Sequence, residues 1–171
     1  DNQLIAFLKY GVSISAGYIN DFNGCMFVKT DTGPPIEATS FGTATWQNGG
    51  IYQQDTSVNA RQDLFTYQNG VSFTTKDFRI SGNLLNDFNE TNNSQSFVVQ
   101  NTTNLSLINT HVDHVRYMAT SCRLIKNVVV EGGSLFNIMR DGWRFSSCNN
   151  VRIIGTKIEN VSDDCVALHT L

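Results

Sequence analysis

Val128-Val-Val-Glu-Gly-Gly-Ser-Leu135 is followed, 23 residues after its start, by Val151-Arg-Ile-Ile-Gly-Thr-Lys-Ile158, and it is preceded at the same interval by Leu105-Ser-Leu-Ile-Asn-Thr-His-Val112. Each run is an alternating apolar strand that meets a tight turn and then another apolar position. Three earlier runs share the pattern: Val12-Ser-Ile-Ser-Ala-Gly-Tyr-Ile19, Thr45-Trp-Gln-Asn-Gly-Gly-Ile-Tyr52 and Phe78-Arg-Ile-Ser-Gly-Asn-Leu-Leu85. From Val12 to Leu105 the starts stand 33, 33 and 27 residues apart. The longer early intervals predict loop insertions, which the turn-rich stretches Asp31 to Glu37 and Leu85 to Ser94 supply. A second series of short strands lies between these runs: Met26-Phe-Val-Lys, Leu64-Phe-Thr-Tyr, Phe97-Val-Val, Tyr117-Met-Ala-Thr, Trp143-Arg-Phe-Ser and Val166-Ala-Leu-His.

A unit of this kind cannot bury its apolar face alone, whereas stacked units make a continuous core. The expected fold is therefore all-β, a parallel β-helix of about six coils within a single domain spanning 1–171. No segment keeps a 3.6-residue apolar period, so helices are not expected. Alternate strand residues should point inward and stack ~4.8 Å from their equivalents one coil away. This places Trp143 and Phe145 inside, over Tyr117 and Ala119 and beneath Val166 and Leu168. Met118, Arg144, Ala167 and His169 should face out.

Composition narrows the partners. Apolar residues make up 40% of the 171, enough for a core, while only 16% are charged and nineteen are Asn; an average domain carries about 25% charged residues. The net charge is −3 and no Lys/Arg cluster occurs, which argues against nucleic acid. No run of eighteen apolar residues offers a membrane span. Cys25, Cys122, Cys148 and Cys165 form no CxxC pair and only three His are present, so a structural zinc site is not expected, and free thiols are favoured over a Cys122–Cys148 disulfide; no metal and no cofactor enters the expected function. The Asn-x-Ser/Thr sequons are what so much Asn, Ser and Thr produces by chance and do not establish secretion.

Ionisable groups gather in the last third. On the 23-residue interval Asp141 lies level with Asp164, with Asp163 adjacent, so three carboxylates share one patch. Like charges at that range raise at least one pKa, which lets one carboxyl stay protonated as an acid while another acts as a base. Solvated turn aspartates are the plainer alternative. Both Asp163 and Asp164 can reach one cleft only where a turn or bulge breaks strand alternation. Asp113 and His114 lie one coil below Asp141 and, with Arg116, Arg140 and Arg144, could line a groove for an acidic ligand. His169 is either a contact of that ligand or a solvent-facing residue. Tyr18, Trp46, Tyr52 and Tyr67 either stack on a ring of the ligand or pack in the core.

Residues 141–169, which contain Asp141-Gly-Trp at one end and Asp163-Asp-Cys-Val-Ala-Leu at the other, resemble the polygalacturonase family of glycoside hydrolases. That family carries Asn-Thr-Asp-Gly and, one coil later, Asp-Asp-Cys-Val/Ile-Ala-Ile. The resemblance implies a right-handed parallel β-helix in which Asp163 protonates the glycosidic oxygen while Asp141 and Asp164 activate water, an inverting hydrolysis. Here Met139-Arg140 stands in place of Asn-Thr, and His169 in place of Asn. The family's Gly-His-Gly and Arg-x-Lys motifs would follow Leu171, so a fragment, truncated at its C-terminal end, is expected. The implied partner is a polysaccharide and the implied location is extracellular or a virion surface, with a homotrimer if the chain belongs to a phage tailspike. A lyase or epimerase on the same scaffold, using a cation such as Ca²⁺, is one alternative. A non-catalytic glycan-binding or structural β-helix is the other.

Overall fold

The computed structural model describes residues 5–8, 19–29, 36–39, 42–53, 65–82, 97–115 and 117–170. Among these there are fourteen strands and no helix, joined in one sheet. Every pairing in it is parallel.

The pairing falls into three ladders, because the long strands bend and serve two ladders each. The first ladder runs through β4 (Ile36–Thr39), β6 (Phe65–Gln68), the start of β8 (Phe97–Val115), the start of β9 (Thr120–Glu131), β11 (Trp143–Ser146) and β14 (Val166–His169). The second contains β2 (Ile19–Asp21), β5 (Thr43–Gln53), β7 (Ser72–Ser81), the middle of β8, the end of β9 and β12 (Val151–Ile154). The third contains β1 (Ile5–Leu8), β3 (Met26–Lys29), the ends of β5, β7 and β8, β10 (Ser134–Ile138) and β13 (Lys157–Val161). From β8 onward each residue pairs with the one 23 positions later in all three ladders, as in Leu105↔Val128, Val128↔Val151 and Trp143↔Val166.

Upstream the offsets differ from those read off the sequence. Thr45 pairs with Thr74 and not Phe78, and Phe73, not Phe78, lies beside Leu105. Ile19 pairs with Thr45; Val12, Tyr18, Arg116, Leu171, residues 30–35 and the stretch Leu85 to Ser94 lie outside the described residues. Met26 belongs to the third ladder with Gly50, apart from Phe97 and Trp143 in the first.

Apolar side chains fill the interior between the ladders. Phe65 stacks on Phe97 and on Phe73, both at 5.1 Å between ring centroids, and Trp46 meets Phe65 edge-on at 4.7 Å. Trp46 and Tyr67 are fully buried, so they are core residues and no platform for sugar. The Tyr67 hydroxyl donates to the Gly42 carbonyl at 2.8 Å, and Gly70 must be Gly because a Cβ there would overlap the phenol. Trp143 and Phe145 are buried as expected, but they stand over Thr120 and Cys122, not Tyr117 and Ala119, because the 23-residue offset continues through this strand. Val166 and Leu168 continue those inward columns yet remain 39% and 69% exposed, since no described strand lies beyond β14. Met118 and Ala167, expected outside, are buried: Met118 sits in a turn under the Arg144 guanidinium, and Ala167 lies in register with Arg144.

The bends between ladders need left-handed backbone, which L-residues adopt at a cost that Asn bears best. Eight of the twelve non-Gly residues with positive φ among those described are Asn. Their amides also bond along the stack: Asn101 donates to Asn69 at 2.7 Å and Asn160 to Asn137 at 3.0 Å. Leu124, at φ 53°, stands between Asn101 (52°) and Ser147 (48°) in one such column and is 54% exposed. Leu124→Asn should therefore stabilise the protein by about 0.5–1 kcal/mol, raising the melting temperature by roughly 1–4 °C. A melting temperature equal to or below that of the parent in a calorimetric scan would contradict this account of the bend.

Candidate functional site

Two successive turns carry the acids, each linking the third ladder to the first. Residues 139–142 follow β10 and residues 162–165 follow β13. The ladder persists through both, since the Gly142 N–H donates to the Asp164 carbonyl at 2.8 Å, the Trp143 N–H to Cys165 at 3.1 Å and the Ala119 N–H to Asp141 at 3.0 Å. Gly142 permits this closeness: a Cβ there would stand 2.5 Å from the Cys165 carbonyl oxygen.

Because 162–165 is a turn and not strand, alternation lapses and Asp163 and Asp164 reach the same side. One carboxylate oxygen from each of Asp141, Asp163 and Asp164 lies within 4.8 Å of the others. Asp163 and Asp164 are exposed, whereas Asp141 is 5% exposed. The same convergence suits a divalent cation, though exposed carboxylates commonly sit together without one.

Two arginines reach the acids, Arg140 from the same turn as Asp141 and Arg144 from the start of β11. Arg144 places Nη1 3.2 Å from Asp141 Oδ2 and 3.2 Å from Met118 Sδ. Arg140 donates from Nη1 to the Tyr117 hydroxyl at 2.7 Å, lies over the Tyr117 ring at 4.9 Å from its centroid, and brings Nε to 3.7 Å from Asp163 Oδ2. Burial pushes the Asp141 carboxyl above the ordinary carboxylate range; Arg144 pulls it back in part, and the neighbouring Asp163 charge pushes it up again.

The other anticipated residues lie apart from the trio. Asp113 and His114 are one repeat below, but in register with Phe136 and, 23 residues on, Asn137; the place under Asp141 belongs to Met118. Asp113 is buried and accepts hydrogen bonds at 2.7 Å each from Arg79 Nε, Ser81 Oγ and His114 Nδ1. Burial alone would raise its pKa, but these three donors together hold it below the ordinary range. Asp113 is thus a structural hub. His114 Nε2 lies 3.2 Å from Asn137 Nδ2, so His114 heads the Asn137–Asn160 amide ladder. His169 is exposed in β14, in register with Ser146. All four cysteines are free, and burial pushes the Cys122 and Cys148 thiols up, which suits packing and not reactivity.

No family model matches the chain, and neither does any curated protein or solved structure. The chemistry must therefore be argued from the residues themselves. Tyr117, expected in the core, belongs to this site; the 23-residue offset from Arg140 marks it, and aligning its strand 26 residues from Trp143 hid it.

The two buried aspartates should respond oppositely to amide substitution. Asp141, with a raised pKa, favours its protonated form in the folded state, so folding is penalised as pH rises above about 4, where the unfolded chain ionises. Asp141→Asn should be more stable than the parent at pH 7 by up to about 1 kcal/mol, the gap closing as pH falls toward 4. Asp113, with a lowered pKa, contributes stability above that pH and loses it as pH falls through the folded value. Asp113→Asn should cost about 1–3 kcal/mol at pH 7 and less in acid. Urea unfolding at several pH values measures both; the same sign for the two substitutions at pH 7 would contradict the assignment.

Proposed function

We propose that these ladders are coils of a right-handed parallel β-helix, about six in number, and that the acid trio hydrolyses glycosidic bonds of a polysaccharide, at the cell exterior or on a virion surface. The observation that carries the reading is the convergence of Asp141, Asp163 and Asp164 across two successive turns, one carboxyl buried and two exposed. The resemblance of residues 141–169 to polygalacturonases agrees with it.

Burial favours the protonated form of Asp141, and Asp163 and Asp164 are the members of the trio that a glycan can touch. In this reading Asp141 passes its proton to Asp163, which gives it to the leaving-group oxygen as the glycosidic bond breaks, while Asp164 takes one from the water that attacks the anomeric carbon and hands it back to Asp141. Asp141 is then a proton reservoir and not a second water activator, which modifies the role implied by the resemblance. The spacing bears on stereochemistry. An inverting pair stands ~6.5–9.5 Å apart and a retaining pair ~5–5.5 Å, so a separation within 4.8 Å between nearest oxygens requires the exposed Asp163 to turn outward if water is to fit and the anomer is to invert.

The test is release of reducing ends from polygalacturonate and a panel of acidic and neutral polysaccharides. Asp163→Asn and Asp141→Asn should each lower kcat by about 10²–10⁴-fold, and NMR of the first product should show the inverted anomer. Near-native cleavage by either variant would overturn the assignment. Unsaturated uronate ends in place of simple hydrolysis products would move the reading to a lyase.

A further inference from the structure

Tyr117 and Met118 stand one 23-residue interval below Arg140 and Asp141, and each is contacted by an arginine that also reaches an acid: Tyr117 by Arg140, Met118 by Arg144. We propose that Tyr117 is a positioning residue which fixes the Arg140 guanidinium so that it orients the Asp163 carboxylate within the trio. The proposal rests on the hydrolytic reading of that trio for its kinetic consequence, but its structural part stands on Tyr117 and Arg140 alone.

An arginine at a surface turn ordinarily gives up rotamer entropy when it is held in one geometry. Tyr117 holds it at two points: the hydroxyl accepts from Nη1 at 2.7 Å, and the ring face lies under the guanidinium at 4.9 Å. A ring used in this way has one face covered by the cation, which removes that face as a sugar platform. Arg140 is the only ion-pair partner of Asp163 among the described residues, at 3.7 Å from Nε to Oδ2. That distance exceeds a hydrogen bond, so the guanidinium aligns the carboxylate by charge and leaves both oxygens free to meet a substrate.

Tyr117→Phe keeps the ring and removes the hydroxyl; Tyr117→Leu removes both holds. In the folded protein, ¹⁵N relaxation of the Arg140 Nε–H should report an ordered side chain in the parent, partial loss of order in Tyr117→Phe and free averaging in Tyr117→Leu. Steady-state kinetics should show kcat reduced about 3-fold and about 10-fold respectively, with KM within twofold of the parent. Equal Arg140 order in all three proteins overturns the proposal, as does a rise in KM at unchanged kcat, which would place Tyr117 on the substrate. Should Tyr117→Leu not fold, the Phe variant alone decides by the same two readouts. If the parent cleaves no glycan in the panel, the hydrolytic reading fails by itself, and the relaxation data still decide whether Tyr117 fixes Arg140.

Discussion

The parallel ladder, repeated at a constant 23-residue offset from β8 onward, is the constraint on which everything else in this protein depends. Parallel strands ~4.8 Å apart place every side chain against its counterpart one repeat away. A residue is therefore judged by its column and not by its chain neighbours. Inward columns must be apolar along their length, bends must tolerate left-handed backbone at every level, and a charge is admissible only where the column faces solvent or supplies a partner. The aromatic stack around Phe65 and the amide ladders through Asn69, Asn101, Asn137 and Asn160 are two answers to one demand, that like positions lie on like.

The composition follows from that demand. An amide is both donor and acceptor, so a column of Asn satisfies itself with no net charge, whereas a column of Asp or Lys would repel at each step. Nineteen Asn beside only 16% charged residues is what a stack of bends selects. Where Asn is replaced, the replacement keeps part of the function: Asp77 accepts from Asn109 at 2.7 Å, and His114 offers a ring nitrogen to Asn137. Leu124 alone among the positive-φ residues described brings neither the backbone tolerance nor a polar atom.

Much of this was legible in the sequence, and the failures have definite causes. The interval between Leu105, Val128 and Val151 is undisturbed, so the level of Asp141 and Asp164 could be read directly, and the pairing of Asp163 with Asp164 on one side needed only the turn that the structure supplies. Upstream, insertions fall between strands at unequal places, and a run such as Phe78 to Leu85 can then be matched to its neighbours in more than one register, each of which keeps an apolar alternation. Aromatic residues were ambiguous for another reason. Trp46 and Tyr67 have the same chemistry on either face of a sheet, and only the packing against Phe65 and Phe73 puts them inside. Tyr117 erred in the opposite sense, since a three-residue slip in the assumed offset moves it from a turn into the core.

The acid trio is the place where the column rule is broken, and this sets it apart from ordinary turn aspartates. Asp113 shows how the fold treats a buried carboxylate it needs for structure: three donors surround it and hold it ionised. Asp141 is buried to a similar degree but has one arginine at 3.2 Å and two carboxylates in the adjoining turn. Burying a charge without full compensation raises the energy of the ionised form. A turn selected for stability alone would place an amide at position 141, continuing the neutral pattern of the bends. Three acids there, with two arginines anchored on the turn below, depart from the neutral pattern of the bends, and the proposed proton transfer is the use to which that electrostatic strain would be put.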